Sequence, residues 1–368
     1  MPHQLSLVRR IADLRRLYTG ETDTTVNHDA AHAASVLSTD DRRQLRTALE
    51  RDFFDQLPGG DDVRPLPQHL RTAVLPDATE PWQQALEARI FRAVTRTTAH
   101  LDHPAAAVGA WLAGNGGRVL RKVRPQRPHD LTLHVNGRAL APLLFELLPR
   151  ITGEGDLVGV PGLRAVLHRR RVELLVLDTP ARVTIANVSY RQWVAALAFV
   201  DAVDSENPLR WLGNDPQPLQ HEEREALARV VSGTTASRLL SCLLRRIGLF
   251  STTSRLSLRR ASSDEVEIDW WESPSAAAIA VRLVDPAAGL FGSDHFVAGQ
   301  GDRLKITDAD EAYTVVLGQL RPEDTDDVAA RWSAWDREMS RPNPMWPSIV
   351  GARRPSSGLR SLTGSASH

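Results

Sequence analysis

His28-Asp29-Ala30-Ala31-His32 sets two imidazoles four residues apart, on one face if the segment is helical, with a carboxylate beside the first. Two imidazoles so placed can hold a metal ion while the acid activates its bound water, so one expectation is a metal-dependent hydrolase using His28, Asp29 and His32. Aspartate stands where the usual helical arrangement has the longer glutamate. Spacing marks no third ligand, although His100 and His103 form a second close pair. The other chemistry is cationic. Arg118, Arg121, Lys122, Arg124 and Arg127 crowd one short run, and Arg169-Arg170-Arg171 forms another. A guanidinium can take two phosphate oxygens at once without reading a base. Arg121, Lys122, Arg124, Arg169, Arg170 and Arg171 are therefore the candidate contacts, for nucleic acid or for another protein, which can be a second copy of this chain.

Much other chemistry is excluded. Lys122 and Lys305 are the only lysines among 45 basic residues. Neither lies in a Gly-rich strand-to-helix turn or in an apolar pocket segment, which argues against a phosphate loop or a Schiff base. Cys242, the only cysteine, sits inside Leu239-Leu240-Ser241-Cys242-Leu243-Leu244 and reads as a small core hydrophobe. No Gly-x-Ser-x-Gly elbow occurs, and the adjacent residues of Gly292-Ser293-Asp294-His295 cannot form a proton relay. His221-Glu222-Glu223-Arg224 reads as the charged first turn of a helix. Gly114-Asn115-Gly116-Gly117 and Ser232-Gly233-Thr234-Thr235 read as helix boundaries. A binding protein with no cofactor, more than an enzyme, is the expectation.

Charge is balanced at 45 basic and 45 acidic residues, so any contact with phosphate must be local. Residues 118–182 carry 12 basic against 6 acidic residues, a net of +6, and residues 264–338 carry 6 against 17, a net of −11. The basic middle can therefore pair with the acidic portion inside the protein or between copies. Arginine used in place of lysine also follows from GC-rich codon usage, so arginine content alone is no evidence of phosphate binding. The basic stretch Arg238, Arg245, Arg246, Arg255, Arg259, Arg260 has a further explanation: cross-strand pairing with the acids of Val266-Glu267-Ile268-Asp269.

The elements that must position these groups are α+β. Helical spacing predicts helices at Leu7 to Tyr18, Thr24 to Leu37, Asp40 to Leu57 after Ser38, and Trp82 to Ala113. Gly20 invites comparison with a helix-turn-helix, but Arg16 stands where a small residue is needed and Glu21 where an apolar one sits, so a plain helical hairpin is preferred. Period-2 alternation predicts strands at 131–135, 163–168, 172–177 and 182–188, with helices at 139–148 and after Ser189. Helices follow at 222–231 and 236–247, then strands at 255–259, 265–270, 277–284, 303–307 and 313–317, and a helix over 326–339 carrying Trp332 and Trp335. Trp270 and Trp271 point to opposite faces of their strand, one into the core. The organisation is a helical region over 1–115, a central mainly antiparallel sheet with packed helices over 116–232, a helix plus antiparallel β-meander over 233–339, and a disordered tail over 340–368 around Trp346. No run approaches the ~18 apolar residues of a membrane span and no signal segment opens the chain, which makes the expected address cytoplasmic with no membrane partner.

Overall fold

The computed structural model describes residues 6–50, 66–99, 118–203, 218–229 and 235–320, except Arg138, Ser254, Glu272, 291–294 and 310–311. The expected helices over 100–113 and 326–339, the His100/His103 pair, Gly114-Asn115-Gly116-Gly117, Ser232-Gly233-Thr234, Gly292-Ser293-Asp294 and the tail around Trp346 lie outside these residues. The described residues form two compact units. The first draws on Met1–Arg92, Arg121–Leu133 and Ser232–Glu323, the second on Ala93–Leu120 and His134–Val231. The amino-terminal helices and the carboxy-terminal sheet, expected as separate regions, thus belong to the same unit.

The first unit begins with α1 (Leu7–Thr19), whose Leu7, Ile11, Leu14 and Tyr18 recur at helical spacing and are buried. Ser6 caps its start, accepting from the Arg9 amide at 3.3 Å. Gly20 ends it in the left-handed region at φ 74°, and a Cβ there would meet the Arg121 carbonyl at 3.1 Å, so glycine is required twice over. Next come α2 (Asp23–Val36) and α3 (Thr39–Glu50), the latter opened by a reciprocal pair of bonds between Ser38 and Asp41. Glu21, in the connection between α1 and α2, is buried and held by Arg15 and Thr19. Two further helices, α4 (Gln68–Val74) and α5 (Pro81–Ala99), follow. The run from Arg121 to Arg127 forms strand β1 (Leu120–Arg127), whose hairpin partner is β2 (Asp130–Val135).

The second unit takes up α6 (Leu140–Leu147), apolar and buried, and the short pair β3 (Arg150–Ile151) and β4 (Leu157–Val158). Strands β5 (Leu163–His168), β6 (Arg171–Val176) and β7 (Arg182–Ala186) then form an antiparallel run. Its register pairs Ala165 with Leu174 and Leu174 with Val183, so one face is continuously apolar. On the opposite face Arg164 is buried because Glu223 covers it. Helix α7 (Tyr190–Val203) packs against α6, and α8 (His221–Arg229) supplies Glu223.

The chain returns to the first unit with α9 (Thr235–Arg245), the 3-10 turn Ile247–Phe250, β8 (Leu256–Ala261) and β9 (Glu265–Trp271). Trp270 is fully buried edge-on to Phe250, while Trp271 is half-buried beneath the Arg255 guanidinium. Residues 277–284, expected as a strand, instead belong to helix α10 (Ala276–Leu283) and its C-cap Val284. Ala276, Ile279, Ala280 and Leu283 are buried at i, i+3, i+4 and i+7, and Ser275 caps the start. Strands β10 (His295–Gln300), β11 (Arg303–Asp308) and β12 (Thr314–Leu320) complete a sheet of order β10-β11-β12-β9-β8. The expected meander is present, with one parallel pairing, β12 against β9, because α10 carries the chain away from β9 before the last strands return. The architecture is α+β, as the sequence implies. No described helix is long and apolar enough to cross a membrane.

Candidate nucleic-acid interface

One end of the second unit gathers exposed cations. The last register pair of β5 and β6 is His168 with Arg171, so Arg169 and Arg170 form the turn between them. Arg169, Arg170 and Arg171 are all exposed. The hairpin's one acid, Glu173, lies 3.3 Å from His168 at the edge of the turn and 3.9 Å from Arg182, and among the described residues it pairs with none of the three turn arginines. The Arg170 carbonyl accepts from the Val188 amide at 3.1 Å, tying the turn to Asn187, which adopts φ 61° where the chain bends into α7. Ser189 and Gln192 cap that helix reciprocally, the Ser189 hydroxyl accepting from the Gln192 amide and Gln192 Oε1 from the Ser189 amide. This places Tyr190 and Arg191, both exposed, beside the Arg turn.

A further basic side chain joins them. A Cβ on Gly137 would meet Gln192 Nε2 at 3.1 Å, and the Asn136 amide donates to the Val119 carbonyl at 2.9 Å. Exposed Arg118 is therefore carried to the same end as α7's first turn. Segments 118–119, 134–137, 168–171 and 186–192 contain no aspartate or glutamate. Among the described residues, none of Arg118, Arg169, Arg170, Arg171 or Arg191 forms an ion pair. Five guanidiniums held on capped and hydrogen-bonded backbone, in segments without an acid and with no described ion pair of their own, make a locally positive surface.

The remaining expected contacts stand in the first unit. Arg124 is held by Asp29, with Nε and Nη2 donating at 3.2 and 3.1 Å, and Glu21 lies 3.8 Å from the same guanidinium. Arg15 adds a second cation at 3.7 Å from Asp29. Burial pushes the Asp29 carboxyl up, but Arg124 and Arg15 outweigh it and hold the group below the ordinary carboxylate range. Arg121 is exposed and Lys122 half-buried. The six expected cations are thus divided between the units, and Arg124 serves an internal pair.

The histidine pattern is on one helix, as its spacing implies. His28 and His32 are exposed, with His28 Nδ1 3.6 Å from Asp29. Asp29 itself faces guanidiniums. Among the described residues, no group of three His, Cys, Asp and Glu side chains could hold a metal. Cys242 is buried and its thiol is pushed up to about 12, chiefly by burial, which fits a packing residue.

The basic stretch from Arg238 to Arg260 divides by position. Arg259 pairs with Asp269 at 3.2 Å and Arg260 with Glu265 at 3.5 Å, while Arg303 pairs with Glu267, so these acids are met within their own sheet. Arg245 and Arg246, part of the same basic stretch but on the helix that precedes the sheet, are buried in the first unit's core. Arg245 binds Glu87 through Nε and Nη2 at 2.8 and 2.6 Å and gives its other protons to the carbonyls of Pro76, Arg127 and Pro128. Arg246 grips Asp77 and the carbonyls of Cys242, Ala288 and Gly289. Arg71 takes the carbonyls of Pro286 and Gly289.

Sequence reasoning found the Arg169–Arg171 turn through strand alternation but missed Tyr190 and Arg191, whose signal is only their position after the Asn187-Val188-Ser189 bend. It flagged Arg118 as part of a basic run. Comparison of the chain with protein-family models, with curated proteins and with solved structures returned no match.

Proposed function

We propose that the protein is a binding protein that grips the phosphate backbone of nucleic acid through the arginine-rich end of its second unit, without catalytic chemistry of its own. The observation that carries this reading is the group Arg118, Arg169, Arg170, Arg171 and Arg191: exposed, free of internal ion pairs among the described residues, and carried on segments that hold no acid. Guanidiniums in this state remain hydrated until an anion arrives, and a polyanion offers several bidentate partners at once. A cytoplasmic address accompanies the reading.

Binding of labelled DNA and RNA across salt tests it. Affinity should fall linearly on a log–log plot as counterions are released. Replacing Arg169, Arg170 and Arg171 together by alanine removes up to three phosphate contacts. On a single strand the slope should flatten by about 2, so that between about 50 and 200 mM salt the wild type loses roughly 20-fold more affinity than the variant. Binding that is insensitive to salt, or unchanged in the triple variant, would sink the proposal.

A further inference from the structure

We infer that the ligand of this surface is a single-stranded polynucleotide, with the Tyr190 ring stacking on a base while the surrounding arginines hold the flanking phosphates. The inference rests on the phosphate-binding reading above and adds what kind of strand is held.

Its basis is the tyrosine. Tyr190 is 59% exposed, one of three large hydrophobic side chains left in solvent among the described residues, with Val36 and Phe296. Val36 and Phe296 belong to the first unit; Tyr190 belongs to the second, two residues beyond the bond from Val188 to the Arg170 carbonyl, and is followed directly by exposed Arg191. Its hydroxyl has no hydrogen-bond partner and its ring no aromatic or cation neighbour among the described residues. The backbone that carries it is fixed. Ser189 and Gln192 close the helix start on either side, and Val188, two residues back, is bonded to the Arg170 carbonyl. Successive Cα atoms are ~3.8 Å apart, so the tyrosine backbone lies within about 8 Å of that bond, inside the reach of the arginines.

An exposed ring among guanidiniums matches a polymer in which flat apolar bases alternate with anionic phosphates. In a duplex the base faces are already stacked and paired, and an aromatic side chain at the protein surface finds nothing to cover. In a single strand every base has an open face. Duplex binding would need the arginines alone and would leave the ring in water. A protein partner could also cover Tyr190, since tyrosine is common in interface hot spots. That partner would have to bring several carboxylates as regularly spaced as phosphates to satisfy five arginines, which a polynucleotide does by construction.

Fluorescence anisotropy with four probes decides it: oligo(dT) and oligo(U) of about 15 nucleotides, a duplex of equal length, and a poly-glutamate peptide. The proteins are the full chain and its Tyr190→Ala, Tyr190→Phe and Arg169→Ala/Arg170→Ala/Arg171→Ala variants, with circular dichroism confirming their fold. The single strands should bind at least tenfold more tightly than the duplex. Tyr190→Ala should lose about 5- to 100-fold on single strands, with Tyr190→Phe near wild type. Because the ring carries no charge, Tyr190→Ala should keep the wild-type salt slope while the triple arginine variant flattens it. Comparable strength on oligo(dT) and oligo(U) would mean that stacking is indifferent to the sugar, and preference for one would name the strand; both support the inference. Salt-dependent, arginine-dependent binding with no preference for single strands, or with Tyr190→Ala unchanged, overturns the stacking role and leaves phosphate binding standing. Absence of binding to every oligonucleotide overturns both readings, and Tyr190-dependent binding to poly-glutamate alone transfers the surface to an acidic protein.

Discussion

Arg245 in the first unit and Arg170 in the second are the same side chain under opposite conditions. Arg245 is fully buried, and its five N–H groups are matched by Glu87 and three carbonyls from segments far apart in the chain. Arg170 is exposed on a two-residue turn and meets no carboxylate among the described residues. In the first unit arginine acts as internal scaffolding: Arg15, Arg71, Arg245 and Arg246 reach buried acids and loop carbonyls where hydrophobic side chains could satisfy neither. In the second unit Arg164 does the same with Glu223 and Arg150 with the Phe145 carbonyl, while Arg118, Arg169, Arg170, Arg171 and Arg191 are exposed and form no ion pair among the described residues. Guanidinium content therefore carries little information about function in this chain, and the partner of each guanidinium carries most of it.

The comparison breaks most visibly if a core arginine proves dispensable. Arg245→Ala should cost about 3–5 kcal/mol, because Glu87 loses its counter-charge inside the protein while Ser241 and Gln83 alone remain to bond it. Urea denaturation of the variant measures this. Replacing both partners, as Arg245→Met with Glu87→Leu, should cost much less than the single change, since no unpaired charge is left buried. A single-variant cost below about 1 kcal/mol would show that these pairs are not what holds the first unit.

Next in size is an effect of pH on the second unit. Arg164 binds Glu223 through two oxygens at 2.8 and 2.9 Å, and the amides of Gly162 and Gln220 donate to the same carboxylate. Burial pushes Glu223 up, but Arg164 and these amides outweigh it and hold the group below its ordinary value of 4.5. A carboxyl depressed in the folded state stabilises fully above its unfolded value, and the stabilisation disappears as pH falls through the folded value. Hydrogen exchange in β5 and β6 should therefore accelerate as pH drops below about 4.5, beyond the intrinsic rate change. In Glu223→Gln that acid-dependent loss should be missing. An identical acid response in both proteins would remove the pair from the stability of this unit. Asp285 behaves with the opposite sign: burial outweighs its amide donors and raises it, so acidification relieves the first unit of a buried charge.

What was readable in the sequence follows the range of the interactions. The β5–β7 strands, the Arg turn and the Ser189 cap depend on neighbours within a few residues, and alternation or capping chemistry exposes them. Arg245 and Arg246 follow Leu243-Leu244, and their acids lie 158 and 169 residues away, so nothing local distinguishes them from a solvated basic pair. Residues 277–284 read as a strand because Ile279, Val281 and Leu283 alternate, yet the same residues satisfy helical spacing, and Ser275 with three alanines tips the balance. The Val188 amide brings Tyr190 and Arg191 beside the Arg turn, and the Asn136 amide together with Gly137 against Gln192 brings Arg118 toward α7's first turn, contacts that only the folded chain supplies.

A smaller effect tests the packing of the first unit's sheet. Gly318 on β12 stands opposite Asp269 on β9, and a Cβ there would overlap the Asp269 carboxylate. That acid is nearly buried, raised mainly by burial, and held by Arg259. Gly318→Ala should destabilise by about 1–3 kcal/mol through displacement of the carboxylate from its pair. Combined with Asp269→Ala the cost of the added methyl should shrink, and thermal melts of both variants measure the coupling.

The smallest expected change in stability belongs to the exposed arginines and sharpens the comparison most. Arg169→Ala/Arg170→Ala/Arg171→Ala removes three charges, whereas Arg245→Ala removes one, yet the fold should shift by no more than about 0.5 kcal/mol per site, because no described carboxylate or carbonyl depends on these side chains. Relieving their mutual repulsion could even raise the melting temperature at low salt, a gain that should vanish as the Debye length shortens toward ~8 Å at physiological ionic strength. On the proposed reading, three like charges that add nothing to the fold and repel one another at a two-residue turn serve an anion outside the molecule. A variant that melts well below the wild type would mean that the turn has an internal partner, and the contrast with Arg245 would dissolve.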